Sequence, residues 1–235
     1  MTIPNKIIAW LMLFCCLAGN AMGEEQMTMP AHELPEGFCY VHEVIDDVIL
    51  DIRYAGDHNF VGEPIDGYEA PYAILSVKAA NRLKKAADEF REMGYRIKIF
   101  DAYRPQSAVR HFVRWSEDET DTRMKAEFYP NFRDKTQLVD QGYIARNSSH
   151  MKGSAIDLTL TDMEGNELDM GTCFDYFGRE AWHNTSGLTQ EQKANRRLLK
   201  SVMEKNGFLS FDKEWWHYRL EHEPFYDQKF DFPVK

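Results

Sequence analysis

One segment of the chain carries a carboxylate in the middle of an apolar run. Residues 155–160 read Ala-Ile-Asp-Leu-Thr-Leu, a pattern that predicts a buried strand with Asp157 inside it. Burying a carboxylate without a cation costs several kcal/mol. Asp157 therefore needs a compensating partner, and the segment alone leaves open whether this is an arginine, a set of backbone donors or a metal ion.

Two histidines and a glutamate provide candidate metal chemistry. His150 stands at a turn just before this strand, and Glu214 and His217 flank two tryptophans near the other end of the chain. Bulky aromatic walls exclude water and strengthen any attraction between a metal and a carboxylate. Residues three apart on a regular strand point to opposite faces, so Glu214 and His217 can share a site only if Glu214 lies at the strand entrance or in a bulge.

Two histidines with one carboxylate are a common ligand set of catalytic zinc. The fourth position is then left for a water whose pKa falls to about 7. We therefore expect His150, Asp157 and His217 to bind one Zn²⁺ per chain. Glu214 would be the catalytic base that accepts a proton from water and passes it to a leaving amine.

Arg104 is a candidate for stabilising the transition state. Residues 95–100 alternate basic and apolar side chains and predict a strand, and Asp101-Ala102-Tyr103-Arg104-Pro105 ends it. A guanidinium that stays protonated and offers several donors suits a developing oxyanion. From spacing alone, a surface ion pair between Arg104 and Asp101 explains the arginine equally well.

The periodicity along the chain predicts a single α+β domain with a mainly antiparallel sheet flanked by helices. We expect a helix from Ser76 to Met93 that Gly94 ends, a second helix after Pro105, and a third that a Thr189/Gln192 capping box begins. A last strand should run over 215–220. Residues 117–147 read as a long irregular loop.

The first residues resemble a secretory signal peptide. Lys6 is followed by an apolar run over 7–17 and by Ala21-Met22-Gly23, a small-residue cleavage pattern. We therefore expect export, cleavage near Gly23, and a periplasmic or secreted protein without a stable membrane anchor. Lipid attachment at Cys15 is disfavoured because Phe14 precedes it. Residues 24–39 should form a flexible lead-in, and residues 40–235 the catalytic domain.

Charge and cysteine content restrict the partners. The chain has a formal net charge of -10, and its basic residues are scattered, so nucleic acid is not an expected partner. Cleavage would leave Cys39 and Cys173, which an oxidising compartment would permit to form a disulfide. Two separately buried thiols are the alternative. The oligomeric state is left open.

Together these residues resemble a known metal signature. Ser148-x-His150-x-x-Gly153-x-Ala155-x-Asp157 with Glu214-x-x-His217 is similar to the zinc signature of the D-alanyl-D-alanine dipeptidases, within the metallo D,D-peptidase family. The resemblance runs from about Val44 to the last residue. It includes Tyr54, Asp57-x-Asn59-Phe60, Gly67-Tyr68, Asp101-x-Tyr103-Arg104-Pro105, Phe174-Asp175 and Asp231-Phe232-Pro233-Val234-Lys235.

The resemblance implies the zinc fold of D,D-peptidases and Hedgehog-like domains, and hydrolysis of D-Ala-D-Ala during turnover of cell-wall peptides. It implies the same zinc ligands, base and arginine as above. It further implies that Asp157, Asp175 and the region of Tyr54 surround the ammonium of the dipeptide and that Ser148 meets its carboxylate. A peptidoglycan D,D- or L,D-carboxypeptidase and a non-catalytic wall-binding module are the alternatives.

Overall fold

The computed structural model describes residues 33–235, which form one compact unit. The strands are β1 (Phe38–Tyr40), β2 (Ile49–Leu50), β3 (Ile74–Ser76), β4 (Arg96–Asp101), β5 (Ala155–Thr161), β6 (Phe208–Phe211) and β7 (Glu214–Leu220). The helices are α1 (Val77–Glu92), α2 (Gln106–Glu117), α3 (Lys125–Phe128), α4 (Thr136–Asp140) and α5 (Gln190–Lys205).

A five-stranded sheet in the order β2-β4-β5-β7-β6 forms the centre of the fold. All neighbouring strands are antiparallel except the pair of β2 and β4, which is parallel. Strands β1 and β3 form a separate antiparallel pair. The predicted α+β class with a mainly antiparallel sheet is therefore confirmed, and the short parallel pair is the exception.

The two long helices begin where the capping residues predict. The Ser76 side chain accepts a hydrogen bond from the Ala79 backbone N–H at the start of α1, and Thr189 and Gln192 form both halves of a capping box at the start of α5. These bonds satisfy N–H groups that have no partner within a helix. The two helices pack against each other and against the sheet.

Strand β5 is buried along its whole length, as its apolar sequence predicts. Leu158 and Leu160 pair across the sheet with Ile99 and Ile97 of β4. Because side chains alternate along a strand, Asp157 points to the face opposite these leucines. The antiparallel pairing shifts register between Ile99 and Asp101, which brings Asp101 opposite Asp157. Asp101 and Asp157 therefore lie side by side on one face of the sheet, near its centre.

The region between α2 and β5 is less irregular than its sequence predicts. It contains the short helices α3 and α4, and it buries Phe128, Tyr129 and Leu138. Two four- to five-residue helices are too short to give a clear helical period, so pattern alone could not identify them. The buried aromatic residues pack this segment against the rest of the fold.

The lead-in boundary lies earlier than Tyr40. Phe38 is buried, and Phe38 and Cys39 pair with Ser76 and Leu75 in the β1–β3 ribbon. A three-residue strand has too few residues to show a period, which explains the misplaced boundary. The expected signal peptide, residues 1–23, lies outside the described residues. Over residues 33–235, no helix is long and apolar enough to span a bilayer.

The disulfide between Cys39 and Cys173 does not form, and both thiols are free. Cys39 lies half-buried on β1, whereas the exposed Cys173 follows β5 with its sulfur 4.0 Å from the carbonyl of Glu127. The two cysteines lie on different segments of the fold, β1 and the loop that follows β5. The alternative of two separately buried thiols is correct in that the thiols are separate, but Cys173 is exposed and Cys39 is only half-buried.

Candidate active site

The pairing of β5 with β7 places two of the candidate ligands side by side. Asp157 lies directly opposite His217, and the His217 Nδ1 is 2.9 Å from the Asp157 Oδ1. On its other edge β7 pairs irregularly with β6, since Phe211 faces Glu214 while the adjacent Ser210 faces Tyr218. Residues 215–217 are therefore extra residues in that pairing.

This irregularity meets the geometric condition set by the sequence. Glu214 is the first residue of β7, and its Oε2 lies 3.8 Å from the Nδ1 of His217. Both side chains therefore reach the same site. Trp215 and Trp216 are both almost fully buried, so they belong to the core that supports the site.

His150 is fixed in a short 3-10 turn, Ser149–Lys152, just before β5. The Ser148 hydroxyl accepts a hydrogen bond from the His150 backbone N–H at 3.2 Å. Gly153 ends the turn with a left-handed φ of 61°, and a Cβ there would come within 2.9 Å of the backbone nitrogen of Ser76. Glycine is therefore required by both conformation and space at this position.

The orientation of the His150 ring leaves one nitrogen free for a metal. Its Nδ1 donates to the carbonyl of Ala102 at 2.6 Å, so Nε2 carries the lone pair. Metal-binding histidines usually donate their second ring N–H to a carbonyl or carboxylate in this way, which fixes the tautomer. The free Nε2 is 3.1 Å from the Nδ1 of His217 and 3.4 Å from the Oδ2 of Asp157.

The distances among these donor atoms fit a small divalent cation. His150, Asp157 and His217 offer three ligand atoms that all lie within 4.8 Å of one another. A tetrahedral ion with bonds of about 2.0–2.2 Å separates its ligands by roughly 3.3 Å. The two histidine nitrogens are 3.1 Å apart, close to that value, and they approach different oxygens of the Asp157 carboxylate, Oδ1 at 2.9 Å from His217 and Oδ2 at 3.4 Å from His150.

The local charge also favours a cation. Burial raises the pKa of Glu214 to about 8, and Asp157 adds to that shift; the pKa of Asp175 is raised well above its usual range for the same two reasons. Burial alone would raise the pKa of Asp157, but its contacts with His150 and His217 lower it below the usual range. Several carboxyl groups thus share one buried region, and a divalent ion would relieve their repulsion.

Arg104 is held between two acidic residues at the edge of this region. Its Nε and Nη2 bond Asp101 at 2.9 and 2.8 Å, and Nη2 also lies 3.4 Å from Asp157. The ion pair with Asp101 is thus real, but it is buried, not on the surface as the alternative assumed. The Tyr68 hydroxyl donates to the other oxygen of Asp101 at 2.5 Å. Within residues 33–235, the Nη1 of Arg104 has no hydrogen-bond partner, which leaves it available to a substrate.

The three candidate substrate-binding residues line the same cavity as the metal ligands. The Tyr54 hydroxyl donates to the Oδ2 of Asp175 at 2.7 Å, and Asp175 has a left-handed φ of 58°, rare for a residue other than glycine. Ser148 lies elsewhere in the wall, and within residues 33–235 its hydroxyl makes one hydrogen bond, which it accepts from the His150 backbone N–H. The cavity volume is about 200 Å³, below the roughly 300–1,000 Å³ of pockets for drug-sized ligands.

Together, the fold and this cavity define a site of the metallopeptidase type. The candidate base Glu214 and the guanidinium of Arg104 lie beside the three potential metal ligands. Residues 35–235 match the family model described as D-Ala-D-Ala dipeptidase. The chain belongs to this family of peptidases.

Three relatives are each called D-alanyl-D-alanine dipeptidase. The protein of Enterococcus faecium is 40% identical over 85% of this chain and 98% of its own. The protein of Enterococcus faecalis is 39% identical over 86% of this chain and 100% of its own length. The protein of Streptomyces coelicolor is 38% identical over 84% of this chain and 98% of its own length.

Sequence reasoning found most of the site but missed part of its support. The structure brings together all eight residues singled out in advance: Tyr54, Arg104, Ser148, His150, Asp157, Asp175, Glu214 and His217. It adds Tyr68 and the carbonyl of Ala102, and it places the Arg104–Asp101 ion pair, which the sequence suggested at the surface, inside the site.

Proposed function

We propose that this protein is a zinc-dependent dipeptidase that hydrolyses free D-Ala-D-Ala to two D-alanines outside the cytoplasm. The observation that carries the proposal is the small cavity in which His150, Asp157, His217 and Glu214 converge and which Asp175 and Ser148 also line. Two of the relatives, both called D-alanyl-D-alanine dipeptidase, support the choice of substrate.

His150, Asp157 and His217 would hold the zinc. When bound there, zinc polarises the peptide carbonyl and makes water acidic enough to lose a proton near neutral pH. Glu214 lies beside the triad and accepts that proton, then delivers it to the departing amine. Arg104 offers its Nη1 to the oxygen that becomes negative, while Asp101 and the Tyr54 ring keep its guanidinium in place.

The ends of the dipeptide would be recognised by opposite charges and donors. The Asp175 carboxylate, which Tyr54 orients, accepts the free ammonium, and the Ser148 hydroxyl donates to the terminal carboxylate. Longer peptides are rejected because they place an uncharged amide at Asp175 and leave that carboxylate without its cation.

A substrate panel tests this proposal. The zinc-loaded protein should cleave D-Ala-D-Ala and should leave an N-acylated D-Ala-D-Ala and wall pentapeptides nearly intact. The Asp175→Asn variant should raise KM for D-Ala-D-Ala with a smaller effect on the acylated peptide. Cleavage of pentapeptides in preference to the free dipeptide would instead identify a carboxypeptidase. Binding to wall material without any turnover would identify a wall-binding module.

The proposed location outside the cytoplasm rests on a separate observation. The apolar run over 7–17 and the small residues that follow it support export. Cell fractionation with a tagged protein should find a species that begins near residue 24 outside the cytoplasm. A full-length species retained in the cytoplasm would refute export but not the chemistry.

A further inference from the structure

A second cavity lies between α5 and the loop that precedes it. Its volume is about 270 Å³, and it shares no lining residue with the catalytic cavity. Seven residues line it, and none of them is acidic: His183, Asn184, Thr185, Lys193, Arg196, Arg197 and Lys200. Four of the seven are cationic, although the chain as a whole has a net charge of -10.

The four cations occupy one face of α5. Lys193, Arg196, Arg197 and Lys200 are spaced three and four residues apart, and like charges at these spacings destabilise a helix. Across residues 33–235, Lys200 is the one member of this set with a carboxylate within ion-pair distance, Glu204 at 3.7 Å. The face is therefore under repulsion that a bound anion would relieve.

Arg196 puts a fixed positive charge beneath the cavity. It is 2% exposed, and its three nitrogens donate to the carbonyls of Met170, Trp182 and Glu180 at 2.7, 2.8 and 2.9 Å. Burial lowers the pKa of Arg196 to about 10, so its charge is kept at neutral pH. Within residues 33–235 its hydrogen bonds go to neutral carbonyls, and the charge of nearby Asp169 only partly opposes the effect of burial on Arg196.

His183 lines the same cavity and carries an unused polar atom. Its backbone N–H donates to the carbonyl of Asp212, but its ring Nε2 is buried and has no hydrogen-bond partner within the described part of the chain. Burial, followed by the charges of Lys200 and Arg196, lowers the pKa of His183 to about 4. A ligand that reaches the ring would give this atom a hydrogen-bond partner.

We propose that this cavity, which we call the α5 cavity, is a binding site for a phosphate group, separate from the catalytic centre. Several cations and the side-chain amide of Asn184 suit a compact ligand with several oxygens and more than one negative charge. A carboxylate has two oxygens and one charge and would leave most of these donors unused. The ligand is inorganic phosphate or a small phosphate monoester, and the chemistry of recognition is common to both.

Nuclear magnetic resonance of the His183 ring provides a local test. Inorganic phosphate is titrated into the zinc-loaded protein at constant ionic strength, and the His183 signal is assigned from a His183→Asn variant. We expect a saturable shift of this signal. A parallel titration with glycerol 3-phosphate separates the two sources, since tighter binding than for inorganic phosphate identifies a monoester ligand.

A matched pair of variants distinguishes binding in the α5 cavity from general attraction of phosphate to surface lysines. Lys200→Gln should weaken phosphate binding by about tenfold, the effect of losing one charge-assisted hydrogen bond. Lys84→Gln is the control, because Lys84 on α1 also faces a carboxylate four residues later at 3.7 Å. It should leave the affinity unchanged.

Three results would overturn the proposal: no saturable shift, equal weakening in both variants, or a shift that sodium chloride reproduces. Phosphate bound only at the catalytic metal would inhibit hydrolysis without moving the His183 signal, and would count against the α5 cavity. D-Ala-D-Ala hydrolysis without phosphate should be unchanged in Lys200→Gln, which shows that the variant is folded. The α5 cavity and the proposed dipeptidase activity can therefore fail independently.

Discussion

Asp101 and Asp157 lie directly opposite each other on β4 and β5, and both are buried. Two facing carboxylates repel, but Arg104 bonds Asp101 at 2.8 Å and approaches Asp157 at 3.4 Å. Burial raises the pKa of Asp101, and the charge of Arg104 opposes that rise. Asp101 therefore serves to position the arginine, while Asp157 faces the two histidines.

The Asp101→Asn variant should lose activity while it keeps its metal. An amide at this position holds the guanidinium less firmly, and loss of such supporting partners typically costs about 10–100-fold. We expect kcat to fall by that factor with unchanged zinc content, measured by steady-state kinetics and atomic absorption. Asp47→Asn, which breaks the exposed ion pair of Asp47 with Arg91, is the matched control and should be neutral. Loss of zinc from Asp101→Asn would show that Asp101 mainly supports His150.

Ligand and base variants should separate metal binding from turnover. Single replacement of His150, Asp157 or His217 by alanine should abolish stoichiometric zinc binding, because each supplies one of three close donor atoms. Glu214→Gln should bind zinc normally and lose about 10²–10⁴-fold in kcat, as expected for a general base. The exposed His58 provides the control His58→Ala. Stoichiometric zinc in Asp157→Ala would refute the ligand assignment.

Zinc binding should release a proton from Glu214. Burial raises the pKa of this carboxyl to about 8, so it is mostly protonated at pH 7 until a cation lowers that pKa. Calorimetric titration of metal-free protein in two buffers of different ionisation enthalpy measures the release. Glu214→Gln should release about one proton fewer than the parent, and the exposed Glu221→Gln should match the parent. Identical proton release by the parent and both variants would show that Glu214 is already ionised before zinc binds.

Val234 should contribute strongly to stability. It is fully buried, its N–H donates to the carbonyl of Gly67, and its carbonyl accepts from Glu69 and Ala70. Val234→Ala should lower the free energy of unfolding by about 2 kcal/mol through lost burial and the cavity left behind. Val77→Ala removes the same atoms from an exposed position and should cost less than about 0.5 kcal/mol. Denaturant titration measures both, and equal effects would contradict the packing argument.

The parts of the fold that short-range patterns encode were the predictable ones. Ser76 and the Thr189/Gln192 box identified the starts of α1 and α5, because a cap and its helix are adjacent in sequence. The grouping of His150, Asp157 and His217 followed from their spacing and from the resemblance. Strand order did not follow, since a period of two residues states which face is buried and not which strand is the neighbour.

The supporting contacts were unpredictable for a related reason. The bond from His150 to the carbonyl of Ala102 joins residues 48 apart and involves a backbone atom, which leaves no trace in residue identity. The burial of Asp101 depends on the register shift in β4, which no local pattern records. The absence of a bond between Cys39 and Cys173 likewise depends on where the two segments lie in space.

The irregular pairing of β7 limits how this enzyme can change. Residues 215–217 have no partner on β6, and this offset lets Glu214 and His217 reach one site. Gain or loss of a single residue there would turn one of the two side chains to the far face. Laboratory libraries aimed at new substrates should therefore keep the length of residues 214–217 constant and vary residues 142–147, several of which line the cavity without contributing to the sheet.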